Sequence, residues 1–185
     1  MLYKYFCIIS ILLFLLPGGT LAAEGQAEDQ LHRIMNQDDS RPVPGIAQLI
    51  TPAERIGLFH LGMTKADLLL IIGDPDAVYD ATHKALSDLK TDELYLLYKS
   101  LGLAFVLKGE TLQKIITFSP QYRLETGLGI GSSQENVIKT YGTAFILSRN
   151  EQRDILEYKN IGIAFAFRKN DKTVWEVIVF STSSP

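Results

Sequence analysis

Residues 61–73 and 130–142 of this 185-residue chain follow one pattern, and that internal repeat constrains the fold more than any other feature. Both open on an apolar residue and a glycine (Leu61-Gly62, Ile130-Gly131), place a hydroxyl residue at Thr64 or Ser133, continue through apolar positions and close on Gly73 or Gly142. A second block recurs downstream. Residues 98–105 and 158–165 share five of eight positions, and two more exchange Leu for Ile. A third block follows in both copies, where 115–119 (Ile-Ile-Thr-Phe-Ser) matches 177–181 (Val-Ile-Val-Phe-Ser). Self-similarity in a fixed order signals a duplicated structural unit.

Each copy reads as a short helix followed by strands. Thr64 and Ser133 suit the N-cap, where a side-chain oxygen accepts from an exposed first-turn amide. Asp67 lies three residues after Thr64, and Glu135 three after Ser132, the spacing of a capping box. Leu68, Leu69 and Ile72, like Val137, Ile138 and Tyr141, fall on one helical face. Gly73 and Gly142 can end the helix, and Pro75 forbids its continuation. Residues 93–100, 101–108 and 112–119 are then strand-like, with 154–159, 161–169 and 173–181 as counterparts, and 77–80 and 145–148 can add a fourth strand. The expected class is α+β, a tandem repeat of a short helical layer on a three- to four-stranded antiparallel meander.

Four segments are expected: a signal peptide at 1–23, a leader at 24–56 that is partly disordered or weakly helical, and repeats at 57–121 and 122–185. Lys4, the apolar run 6–16, the break Pro17-Gly18-Gly19 and the small residues Ala22-Ala23 are the parts of a cleaved export signal. The run is too short for a spanning helix, so no membrane anchor is expected after cleavage, and the destination is the periplasm or the exterior. Cys7, the only cysteine, lies inside the signal, so the remainder must be stable without a disulfide. In 46–55 a helical turn or two is expected, and in 82–91, an excess over the second copy, an exposed loop.

The pattern Gly-Met-Thr-x-x-x-Leu-x-x-x-x-Gly-x-Pro at 62–75, with a Tyr-ending strand and a Gly-x-x-Phe strand after it, resembles the SmpA/OmlA (BamE-like) superfamily. Two such units in tandem, over 57–181, resemble the β-lactamase inhibitor protein-like fold. The resemblance implies a helical layer on a curved antiparallel sheet, in proteins that bind other proteins without catalysis. Two positions depart from it: Ala144 stands where the motif has proline, and the lipid-bearing cysteine of the outer-membrane assembly lipoproteins is absent.

Chemistry-bearing patterns are sparse. His32, His60 and His83 have no metal-ligand spacing, and no nucleophile motif occurs. Asp74, Asp76, Asp80 and His83 could hold a divalent cation, but Asp in a turn more often bonds its own backbone. The segment 129–133 opens a helix and could receive an anion; an ordinary capped start fits it better, since the first copy does the same. No catalytic residue, metal or cofactor is therefore expected, and the chain is not read as an enzyme. A net charge of −3, one step more negative without Lys4, argues against a nucleic-acid or anionic-membrane partner, which would want clustered Lys and Arg.

The strands instead point to a surface. By period two, Leu103, Phe105 and Leu107, with Ile163, Phe165 and Phe167, face the helices, and the opposite face is also apolar where a solvated face would carry charge. That second face is either covered internally, by the leader or the other repeat, or is a platform for a partner. Tyr95, Leu97, Val106, Ile116, Phe118, Trp175, Ile178 and Phe180 are the candidate contacts, with Tyr95 and Trp175 as anchors. The expected function is non-catalytic binding of an exported or envelope protein through this face, as an envelope accessory or an inhibitor. The alternative is a small molecule or cell-wall fragment held between the repeats; self-association would also satisfy the face.

Overall fold

The computed structural model describes residues 48–80, 90, 92–149 and 153–182. The expected signal, the leader up to residue 47 and the 82–91 loop apart from Lys90 lie outside the described residues.

Strands β1 (Leu49–Thr51), β2 (Arg55–Ile56) and β3 (Phe59–His60) precede helix α1 (Lys65–Ile72). Next come β4 (Ala77–Asp80), β5 (Glu93–Tyr98), β6 (Leu103–Lys108), β7 (Thr111–Thr117) and β8 (Arg123–Leu124). Helix α2 (Gln134–Tyr141) leads into β9 (Ile146–Arg149), β10 (Arg153–Tyr158), β11 (Ile163–Arg168) and β12 (Val174–Phe180). Residues 49–56 form two strands where a helical turn was expected; Ile50 and Ile56, opposed in the β1–β2 pair, are both buried. Strands β6 and β11 begin after a 3-10 turn at Lys99–Leu101 or Lys159–Ile161, two residues later than the apolar run suggests.

The expected class is corrected. The described chain is mostly β, with two α-helices, an eight-stranded sheet and a four-stranded sheet, rather than two units each with its own small sheet. The reason is a strand pair that local pattern does not encode. The large sheet runs β4-β5-β6-β7-β12-β11-β10-β9, so the last strands of both duplicated blocks meet as neighbours at its centre. They pair antiparallel with Ile116 opposite Ile178, Thr117 opposite Val177 and Ile115 opposite Val179. Ile116 and Ile178 are equivalent in the duplicated block, so a local two-fold axis passes between them. The second sheet, β3-β2-β1-β8, is built from segments outside the duplicated blocks, and β1 pairs parallel with β8.

Duplication is visible down to single hydrogen bonds. Gly62 N donates to Leu112 O (2.9 Å) and Leu112 N to Met63 O (2.8 Å); Gly131 N donates to Val174 O (2.7 Å) and Val174 N to Ser132 O (2.8 Å). Tyr98 Oη donates to Gly73 O and Tyr158 Oη to Gly142 O, each at 2.9 Å, tying a helix end to a strand in the same way twice. The helix starts differ. Thr64 and Asp67 form the full capping box, whereas α2 is capped by Ser133 accepting from Asn136 N at 3.2 Å, and Ser132 accepts from Gly129 N instead of completing a box.

The main core lies on one face of the large sheet, where Leu103, Phe105, Leu107, Ile163, Phe165 and Phe167 are buried with Leu68 of α1, Val137 of α2 and the apolar residues of the small sheet. Phe59 of β3 stands edge-on to Phe105 with centroids 5.0 Å apart. Both helices and the small sheet therefore belong to this first face. The second face carries its own buried cluster, Tyr95, Leu97, Ala104, Val106 and Phe118, with Ala77, Tyr79 and Ile116 packed against it.

Candidate functional site

The alternation that sends Phe105 and Phe165 into the main core sends Lys114, Ile116, Ile178 and Ala164 to the second face. Across the seam, Lys114 opposes Phe180, and Ile178 has Ile116 on one side and Ala164 on the other. Ala164 in turn opposes Glu157 of β10. This stretch of the second face, from β7 to β10, floors an open cavity of about 980 Å³. Ile155, Ala164, Ile178 and Phe180 supply its apolar lining, and Lys90, Lys108, Lys114 and Lys159 face Glu93 and Glu157 around it. Ala164 contributes little bulk, which leaves room between the flanking side chains.

Several of these charges are held in place. Glu93 is buried; its carboxylate accepts from Lys90 N at 3.0 Å and lies 3.8 Å from Lys114 Nζ. Lys108 Nζ stands 3.4 Å from Asp92. Beyond the cavity on the same face, buried Glu176 pairs with Arg153 at 3.1 Å. On the first face Lys172 Nζ donates to Asp154 at 2.7 Å, and that bond holds the buried Asp154 carboxyl below the usual carboxylate range. Burial raises the Tyr95 phenol well above its ordinary value, with the Glu176 charge adding to the effect.

The candidate contacts separate into two groups. Tyr95, Leu97, Val106, Phe118 and Trp175 are all buried, at 8 % exposure or less, so these side chains serve as packing in the described fold. Trp175 carries the Arg168 guanidinium over its ring, 5.9 Å from the centroid. Ile116, Ile178 and Phe180 are half-buried, and Ile178 and Phe180 line the cavity. The charged rim was missed in the sequence, although Lys114 two residues before Ile116, and Glu157 two after Ile155, share those residues' face by strand alternation.

Elsewhere, Asp76 accepts from Lys99 N at 2.7 Å and so serves the turn, while His32 and His83 lie outside the described residues. No group of three or more His, Cys, Asp or Glu side chains is placed to hold a metal among the described residues. No helix among them is long and apolar enough to cross a membrane.

No family model matches the chain, and a comparison with curated proteins returns no match. Among solved structures, the chain is similar to an extracellular protein containing an SCP domain from Bacillus anthracis strain Ames, with 12% identity and a TM-score of 0.44, over 79% of this chain and 47% of that one. It is also similar to a cysteine-rich secretory protein from Staphylococcus aureus subsp. aureus Mu50, with 12% identity and a TM-score of 0.43, over 73% of this chain and 50% of that one. The chain thus spans about half the length of these structures. The resemblance to the SmpA/OmlA (BamE-like) and β-lactamase inhibitor protein-like folds is corrected: no family model carries it, and the matching structures are described as SCP-domain and cysteine-rich secretory proteins. Its motif is a glycine-bounded helix start before a strand, a local arrangement that many sheet proteins can share.

Proposed function

We propose that this chain is an exported, non-catalytic binding module that receives a segment of another exported protein in the seam cavity of its large sheet. The observation that carries the reading is the cavity itself, about 980 Å³ with Ile155, Ala164, Ile178 and Phe180 beneath charged side chains. An apolar floor supplies the area that drives association, and a polar rim sets orientation. Tyr95, Leu97, Val106 and Phe118 pack on the same face beside the cavity, with Ile116 against them, and like buried Trp175 are not offered to the partner in this reading. Export rests on the signal-like segment 1–23.

Ile178→Asp and Phe180→Ala test the reading. Both residues are half-buried, and their truncation leaves the main core intact. In capture from envelope extract, the wild-type mature chain should retain a partner that both variants lose while keeping wild-type circular dichroism. Retention by both folded variants would remove the cavity from the binding surface. A second reading, a small molecule or cell-wall fragment in the same place, is favoured by the volume, which is near the upper end of ligand pockets at roughly 300–1,000 Å³.

A further inference from the structure

We infer that the seam cavity selects an extended acidic segment, one in which apolar side chains alternate with carboxylates, and that the carboxylates gather at its β7 end. The inference rests on the reading that this cavity is the binding surface and adds the chemistry of what it binds.

Charge is the first argument. The whole chain is acidic, with a net charge of −3, yet the cavity is lined by four lysines against two glutamates. A cleft of one sign on a protein of the other concentrates ligands of the protein's own sign, because low-dielectric walls focus the local field. Two of the lysines are already engaged: Lys114 Nζ lies 3.8 Å from Glu93 and Lys108 Nζ 3.4 Å from Asp92. Among the described residues, Lys90 and Lys159 take part in no ion pair. Glu157 on β10 offsets Lys159, so the excess positive charge is that of Lys90, at the end of the cavity where Lys108 and Lys114 pair with Asp92 and Glu93.

Shape is the second argument. The floor crosses from β7 through β12 and β11 to β10. Three inter-strand spacings of about 4.8 Å make roughly 14 Å, the span of about four residues of extended chain. In an extended ligand alternate side chains point to opposite sides. One set can rest on Ile155, Ile178 and Phe180 while the other rises to the lysine rim. An acidic peptide with period-two apolar residues satisfies both halves of the lining, whereas a wholly apolar one leaves Lys90 and Lys159 without an ion-pair partner.

The test uses the mature chain and fluorescein-labelled peptides of about eight residues alternating leucine with aspartate, with twins carrying asparagine or lysine instead, read by fluorescence anisotropy. The aspartate peptide should bind about ten-fold tighter than the asparagine twin at low salt, and the lysine twin more weakly than either. That preference should shrink at about 300 mM salt, where screening shortens the reach of each charge. Lys108→Gln with Lys114→Gln should remove the preference and leave asparagine-twin binding in place, which also shows that the variant is folded. Lys139→Gln, on exposed α2, changes the charge elsewhere and should preserve it. Equal binding of the aspartate and asparagine peptides would overturn the charge inference and leave the seam as a binding surface. Failure of all three peptides to bind would overturn both.

Discussion

Two equivalent glycines show how much one residue can fix. Gly102 and Gly162 have φ of 61° and 68°, and each ends a 3-10 turn where the chain reverses into β6 or β11. A Cβ on Gly102 would lie 2.6 Å from Ser119 Cβ, and one on Gly162 would meet Phe180 O and the Ala53 side chain. Gly162→Ala combines a left-handed backbone with backbone crowding, so it should cost more than the roughly 1 kcal/mol that such a backbone conformation alone costs a non-glycine residue; urea denaturation of the mature chain reads this. Sequence exposed both glycines as the fixed points of the repeated octapeptide, but not the atoms they clear, because Ala53 comes from a segment with no counterpart in the repeat. Protonation acts at the same scale. The Lys172 bond lowers the Asp154 pKa, so its stabilisation is present above the unfolded carboxyl value and lost as pH falls through the folded one. Tyr122 has the opposite sign: burial pushes its phenol up to about 12, so its stabilisation holds below the ordinary phenol value and is lost as pH rises towards 12. The urea midpoint should fall at both extremes, and Lys172→Met should flatten the acid limb; an unchanged acid limb would deny the pair its role.

At the scale of elements, helices α1 and α2 were legible because their caps and apolar faces are local, and eight residues suffice to show them. The tyrosine bonds to the helix ends were not, since Tyr98 lies 25 residues from Gly73 and Tyr158 lies 16 from Gly142. Tyr98→Phe and Tyr158→Phe should each lower stability by about 1 kcal/mol, the usual net value of one intramolecular hydrogen bond. The sites serve different helices and should add in the double variant; a loss in one copy only would mean that just one helix depends on its bond. The strands β1 to β3 and β8 escaped notice for another reason. They are two or three residues long, shorter than any periodicity can register, and β8 joins them only through its parallel pairing with β1, about seventy positions away.

Across the whole molecule, the decisive event is the meeting of β7 and β12. Read locally, each copy ends on an apolar strand with a free edge, and such an edge invites pairing. The duplicated chain supplies the partner, so two edges close on each other and the sheet doubles in width. That closure made the expected pair of small sheets wrong, and it also creates the candidate site, since the cavity crosses the seam and no single copy contains it. The burial of Tyr95 and Trp175 was not legible for a related reason: their aromatic character is visible in sequence, whereas their burial depends on how the complete sheet is packed. Cysteine cross-linking measures the seam directly, because the only native cysteine, Cys7, lies in the signal-like segment. Directly opposed residues of an antiparallel pair have Cα atoms about 4.5–5.5 Å apart, within reach of a disulfide. Ile116→Cys combined with Ile178→Cys in the mature chain should close an intramolecular disulfide on mild oxidation, seen by mass spectrometry of the monomer. Free thiols throughout, or only intermolecular dimers, would contradict a continuous eight-stranded sheet and remove the site built across it.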